Sequence, residues 1–292
     1  VASPLDADKI KTPSPADVDA IIIGAGISGM YQLYRLRELG MKVRVVEAGS
    51  DVGGTWYWNR YPGARFDSES WSYGFSFSEE LLQEWSWPEH FAAQPDTLRY
   101  LNYVADKFDL RRDMQFNSRV IAAYFDTASN QWNVTFESGE TIHAPFLITA
   151  LGPLSAHTMP NIPDLDSFQG QAFHTARWPR EPISLKGKRV GIIGTGATAI
   201  QAIQTIAKEV GSLTVFQRTP NWAAPLHNSE ITEEEQAMIK ANYPEIFKRC
   251  RETLTCFIHN PDPRKTLETS PEEREAFWEN LYSEPGFGTW VG

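Results

Sequence analysis

Two glycine clusters are the residues in this chain best suited to chemistry. The first, Gly24-Ala25-Gly26-Ile27-Ser28-Gly29, follows a short apolar run and precedes a helical pattern. In such a turn each glycine has its own task. Gly24 permits the tight reversal, Gly26 lets backbone approach a pyrophosphate, and Gly29 lets a helix pack close to a sheet. The helix start then offers unpaired N–H groups and a positive dipole end to phosphate oxygens. Glu47 closes the next apolar run, where a carboxylate accepts hydrogen bonds from ribose hydroxyls. A glycine-rich turn alone is weak evidence. Glycines, flanking elements and terminal acid in register point to a dinucleotide.

The second cluster is Gly194-Thr195-Gly196-Ala197-Thr198-Ala199. The interval from Gly24 to Glu47 equals that from Gly194 to Gln217, so an amide replaces the acid. Arg218 and Thr219 follow it. A carboxylate there would repel a 2′-phosphate, whereas a guanidinium and a hydroxyl would grip one. The first cluster therefore suits a free 2′-OH, as in FAD or NAD, and the second suits NADP. The pair implies a hydride path from NADPH to a flavin.

These clusters need βαβ units to hold them. A strand over Ala20–Ile23, a helix with Met30, Leu33, Leu36 and Leu39 on one side and a stop at Gly40, and a strand over Val43–Glu47 form the first. A strand over Val190–Ile193, a helix bearing Ile200, Ile203, Ile206 and Val210 with a stop at Gly211, and a strand over Leu213–Gln217 form the second. Between them, residues 50–80 read as aromatic loop and Leu98–Phe108 as helix. Val120–Phe125, Gln131–Glu137 and Thr141–Ala144 read as a β-meander, and Phe146–Ala150 as a buried strand. Pro153–Pro182 reads as a connector. From Ser229 the pattern is charged helices broken at Pro244 and at Pro261-Asp262-Pro263.

Composition excludes other classes. The 292 residues are 41% hydrophobic, enough for one large or two ordinary cores. A net charge of −10 without a basic run argues against nucleic acid. No apolar run approaches membrane-spanning length and no signal-peptide core occurs, so a soluble cytoplasmic protein is expected. Cys250 and Cys256 have five residues between them, matching neither a redox pair nor a zinc knuckle. No metal is expected, and a disulfide reductase, which needs an early dithiol, is excluded.

The connector carries the most specific motif. Phe168-Gln169-Gly170-Gln171-Ala172-Phe173-His174-Thr175-Ala176-Arg177-Trp178-Pro179 matches F-x-G-x-x-x-H-x-x-x-W-P, the signature of the Baeyer–Villiger monooxygenases. Gly54-Thr55-Trp56 through Tyr61-Pro62-Gly63 to Asp67 is similar to that family's G-x-W-x-x-x-x-Y-P-G-x-x-x-D. Ser76–Gln83, Trp85 and Tyr100–Leu110 resemble its phenylacetone- and steroid-oxidising branch. The resemblance runs from about Ala20 to the end of the chain. Flavin-containing monooxygenases that oxygenate amines and sulfides share the Phe, Gly and His but usually lack the Trp-Pro ending.

The resemblance implies an α/β fold of two Rossmann-like domains, for FAD and NADP, with a β-meander and a helical insertion. The expected division is a flexible segment over 1–17, an FAD-binding part over 18–155 and a connector over 156–186. The first part of an NADP-binding domain follows over 187–224, and an insertion over 225–292. The resemblance further implies FAD contacts from Gly54, Thr55, Trp56, Tyr73 and, through backbone near the adenine, Val120. Asp67 would lie beside the flavin as the catalytic carboxylate, with Arg65 and Phe66 near the nicotinamide. His174 reads as a hydrogen-bonded hinge residue, not a base. The implied reaction uses O₂ to convert a small ketone to an ester or lactone through a flavin peroxide. The family's peroxide-stabilising arginine and a phosphate-gripping lysine would lie past Gly292, which suggests a fragment of a longer protein. Alternatives are an N- or S-oxygenating flavin monooxygenase, a peroxide-producing NADPH oxidase, and an inactive nucleotide-binding module.

Overall fold

A computed structural model describes residues 16–286. The chain is mixed α/β and divides into two compact units. One runs to Tyr57 and resumes over Leu101–Thr158; the other comprises Trp58–Tyr100 and the chain from Met159 onward.

In the first unit, β1 (Ala20–Ile23) leads through the first glycine cluster into α1 (Ile27–Glu38), which returns to β2 (Val43–Val46). Ile21 and Ile22 are fully buried, as expected of a strand covered on both faces. α1 buries Met30 and Leu33, whereas Leu39 is 73% exposed, so the apolar stripe ends a turn earlier than its spacing suggests. Glu47 lies just past the strand, though its N–H still donates to Gln115 O. α2 (Thr55–Trp58) and, in the second unit, α3 (Ser70–Tyr73) and α4 (Glu79–Glu84) are short helices inside the stretch read as loop. α5 (Gln94–Lys107) begins four residues before its expected start. β3 (Met114–Gln115) is an edge strand too short to leave a periodic signal. The meander follows as β4 (Val120–Asp126), β5 (Gln131–Phe136) and β6 (Thr141–Ala144), and then β7 (Phe146–Thr149). The parallel sheet has the order β3-β2-β1-β7, and the antiparallel one β4-β5-β6. Phe136, Val134 and Ala144 of the meander share a core with Val18, Ile21 and Val46. Asp17 is anchored: its N–H reaches His143 O, and its carboxylate accepts from His143 N–H. The rest of the segment expected to be flexible, residues 1–15, lies outside the described residues.

In the second unit, β8 (Arg189–Ile193), α6 (Ala197–Ile206) and β9 (Ser212–Phe216) form a βαβ element with β8 and β9 parallel. α6 stops before Val210. The Gly211 N–H donates to Lys188 O, and a Cβ at Gly211 would lie 2.5 Å from Gly187 O. The return to the sheet therefore ends the helix and demands this glycine.

α7 (Glu233–Glu252) and α8 (Pro271–Ser283) start with capping boxes, Thr232 with Glu235 and Ser270 with Glu273. The break expected at Pro244 does not occur. Proline removes the N–H that would have bonded Lys240 O, and Gln83 Nε2 donates to that carbonyl instead, at 3.0 Å. The Pro261-Asp262-Pro263 stretch does separate α7 from α8. Residues 287–292 of the expected insertion lie outside the described residues. Among the described residues no helix is long and apolar enough to cross a membrane.

Candidate cofactor-binding sites

The first glycine cluster is built as its spacing requires. Gly24 has φ +108°, and a Cβ there would come within 2.5 Å of Ala150 O. A Cβ on Gly29 would collide with Gly24 O, so helix and turn are in backbone contact. Gly26 is the N-cap of α1 and supplies no side-chain cap. α4, α7 and α8 are capped by Ser or Thr, which satisfy first-turn amides that α1 leaves for a ligand. Gly54 lies against Gly26: a Cβ on Gly26 would be 3.3 Å from Gly54 Cα. The facing backbones expose N–H groups without side chains between them, a surface that fits a diphosphate.

Glu47 is buried and doubly engaged. Oε2 accepts from Ala25 N–H at 2.9 Å and Oε1 from Gly49 N–H at 2.7 Å. Each carboxylate oxygen has a second acceptor direction, so ribose binding is compatible with these bonds. They also fix the first turn, a role its position alone did not reveal. Trp56 and Tyr57 are buried; the Tyr57 hydroxyl accepts from Ser50 N–H at 2.8 Å, closing the loop that carries Gly53 and Gly54. Thr55 opens α2, and Val120 opens β4 opposite Phe136.

The second cluster repeats the design with different chemistry. Gly194 has φ +105°, and Gly196 caps α6 without a side chain. Among the described residues nothing approaches within 4 Å of a Cβ at either glycine, so this cradle also fits a diphosphate. Ala197 and Thr198 form the first turn of α6. Gln217 Nε2 donates to Thr195 Oγ1 at 3.0 Å, and Asn221 Nδ2 donates to Thr195 O at 2.8 Å. Thr195 and Ala25 hold equivalent places in the two clusters. The strand-end residue thus braces the glycine turn in both, once as an anion on an amide and once as an amide on a hydroxyl. Arg218 and Thr219 are exposed beside this brace.

The loop following Trp58 lies in the same unit as the second cluster. Tyr61 and Ala64 share a core with Ala202 of α6, and Trp178 and Ile192 pack against it. The two motif blocks therefore meet on one helix. Arg65 Nη1 is bound to Glu89 Oε2 at 2.9 Å and to Phe91 O at 3.0 Å. Phe66 is buried and stacked on Tyr73, centroids 4.3 Å apart. Both thus serve packing in this structure. Asp67 is exposed.

In the connector, the Phe168 ring lies over Gly170, where a Cβ would meet it. His174 Nδ1 accepts from Ala176 N–H at 3.1 Å. Pro179 follows Trp178 directly.

Gln201 escaped the sequence reading. It sits one residue off the isoleucine stripe of α6, where an amide ordinarily faces water. Its side chain instead accepts from the Tyr61 hydroxyl at 2.7 Å and donates to Arg65 O at 3.0 Å. Burial pushes the Tyr61 phenol above its usual range, and the nearby Asp67 charge adds to this, so the hydroxyl remains a donor. Gly63 makes the seating possible. It has φ +83°, and a Cβ there would lie 2.5 Å from Gln201 O. Gly63→Ala is expected to destabilise the chain by about 2 kcal/mol, from strain at positive φ plus the clash, read as a lower urea midpoint. An unchanged midpoint would mean the loop seats elsewhere.

A model of the flavin-binding monooxygenase-like family matches residues 18–235. The 2-oxo-Δ3-4,5,5-trimethylcyclopentenylacetyl-CoA monooxygenase of Pseudomonas putida is 47% identical over 287 residues, covering 96% of this chain and 52% of the relative. The acetone monooxygenase (methyl acetate-forming) of Gordonia sp. strain TY-5 is 46% identical over 279 residues, covering 95% and 52%. A crystal structure of OTEMO with FAD and NADP superposes with a TM-score of 0.92 at 46% identity, covering 96% of this chain and 54% of that one. The chain spans about half the length of the curated relatives it matches. By the span of that family match and the cradle geometry together, the chain belongs to the flavin-binding monooxygenase-like family.

Proposed function

We propose that this chain is the FAD- and NADP-binding part of an NADPH-dependent Baeyer–Villiger monooxygenase. In this reading residues 18–155 hold FAD, 156–186 connect, 187–224 begin the NADP domain and 225–292 form an insertion. The observation that carries it is the pair of uncapped glycine cradles, one braced by Glu47 and the other by Gln217 beside Arg218. The acetone relative's product supports the reaction class, because acetone and methyl acetate differ by one inserted oxygen. The balanced reaction consumes a ketone, O₂, NADPH and a proton, and yields an ester or lactone, NADP⁺ and water.

When bound, FAD supplies the hydride acceptor and the oxygen-activating ring. The chain's own residues bind and orient. Gly24, Gly26, Gly29 and the first turn of α1 receive one diphosphate, with Glu47 for the ribose. Gly194, Gly196 and the first turn of α6 receive the other, with Arg218 and Thr219 for the 2′-phosphate. The Tyr61–Asp67 loop presents the exposed Asp67 carboxylate, which would serve the reaction as a fixed negative charge.

The test is product analysis of the full-length protein with NADPH, O₂ and a cyclic ketone, with a sulfide in parallel. Lactone formation supports the reading; sulfoxide or hydrogen peroxide alone contradicts it. Asp67→Ala is expected to reduce lactone formation at least about tenfold while FAD is retained, the scale of losing one preorganised electrostatic partner. Unchanged turnover would remove Asp67 from the mechanism.

A further inference from the structure

We propose that Gln201 is a positioning residue that transmits occupancy of the second cradle to the loop Tyr61–Asp67. The proposal rests on reading that cradle as the NADP site.

Three anchors tie the loop to α6. Gln201 Oε1 accepts from the Tyr61 hydroxyl at 2.7 Å and from Arg65 N–H at 3.4 Å, and its Nε2 donates to Arg65 O at 3.0 Å. The side-chain amide thus pairs with both backbone groups of Arg65, much as a neighbouring strand would. The network fixes the amide's orientation, since a flipped amide would set a donor against two donors and an acceptor against a carbonyl. The side chain of Thr198, in the first turn of α6, acts on the Tyr61 phenol in the sense opposite to its burial. Gly63 lies directly on Gln201 O and Thr205. Beneath these contacts Tyr61, Ala64 and Ala202 are packed together.

The geometry makes the coupling short. Gln201 is four residues from Ala197, about one helical turn or 6 Å along the axis. The amides of that first turn are the ones offered to a diphosphate. A ligand that orders this turn also orders the next turn of α6, and through Gln201 the Tyr61 hydroxyl and the backbone of Arg65. The loop so held carries Arg65, Phe66 and Asp67. Gln201 therefore sets the spacing between the phosphate anchor and the residues read as facing the reacting ring, without itself touching that ring.

Hydrogen exchange on the FAD-loaded full-length protein, with and without NADP⁺, tests this. In the wild type NADP⁺ should slow exchange over both 194–199 and 61–67. In Gln201→Ala the slowing over 194–199 should stay within about twofold of wild type. Over 61–67 exchange with NADP⁺ bound should be about tenfold faster, the effect of losing the three part-buried Gln201 side-chain hydrogen bonds. Tyr61→Phe, which removes one hydroxyl only, should show the same selectivity at smaller amplitude, and it serves if the alanine variant is unstable. As a second readout, 2′,5′-ADP should bind Gln201→Ala as it binds wild type, while NADPH-driven flavin reduction slows about tenfold. Equal NADP⁺ protection of 61–67 in wild type and both variants would overturn the proposal. Absence of protection over 194–199 in the wild type would instead overturn the NADP assignment, and the coupling with it.

Discussion

Gly26→Val is expected to give a folded protein that elutes from gel filtration without flavin colour, its FAD affinity lowered by more than about a hundredfold. Gly26 has φ −82° and ψ −170°, a conformation open to any residue, so substitution carries no backbone strain. The nearest atom to an added Cβ is Gly54 Cα at 3.3 Å, a contact that a small local shift relieves. The added side chain would point at Gly54 and wedge apart the two backbones that the diphosphate must approach, removing at least two charge-assisted hydrogen bonds of about 1.5–3 kcal/mol each. Gly24→Val is the contrasting control. Its φ of +108° and the Ala150 carbonyl at 2.5 Å make it a folding defect, so little protein should be recovered at all. A yellow Gly26→Val protein would show that the flavin, if bound, binds elsewhere.

Arg218→Ala is expected to weaken NADPH binding about tenfold or more and to leave NADH binding within about twofold. An arginine–phosphate contact contributes about 1.5–3 kcal/mol when well formed. Arg218 is exposed, so the lower end applies, and the difference should shrink as salt is raised. Thr219 and the Gln217–Thr195 brace remain in the variant, so the cradle itself persists. Titration of both nucleotides against the two proteins checks the expectation. Equal losses for NADPH and NADH would defeat the 2′-phosphate role and point to damage in the turn.

Much of this site was legible from residue order because its signals are local. Strand, glycine turn, helix and strand-end residue lie within a single βαβ unit, and steric needs at Gly24 and Gly29 dictate glycine whatever the rest of the chain does. The connector motif is local too: the Phe168 ring lies over Gly170 two residues away. What was not legible depends on distant partners. Gln201 reads as a solvent residue until Tyr61 and Arg65, more than a hundred positions earlier, are placed against it. Pro244 reads as a helix break until Gln83 supplies a donor for the orphaned carbonyl. The bonds of Arg65 to Glu89 and Phe91, and the stacking of Phe66 on Tyr73, leave no trace in residue order. Glu47 lies between these cases: its place at the strand end was clear, its hold on Ala25 and Gly49 was not.

The proposed relay from a phosphate-gripping cradle to a flavin-holding one is tested most directly by mixing the purified full-length protein anaerobically with NADPH and, separately, with NADH while following its visible absorbance. A yellow protein whose colour bleaches much faster with NADPH, and slowly with NADH, is the predicted result. A colourless protein that takes up no added FAD, or a flavin bleached equally by both nucleotides, would contradict it.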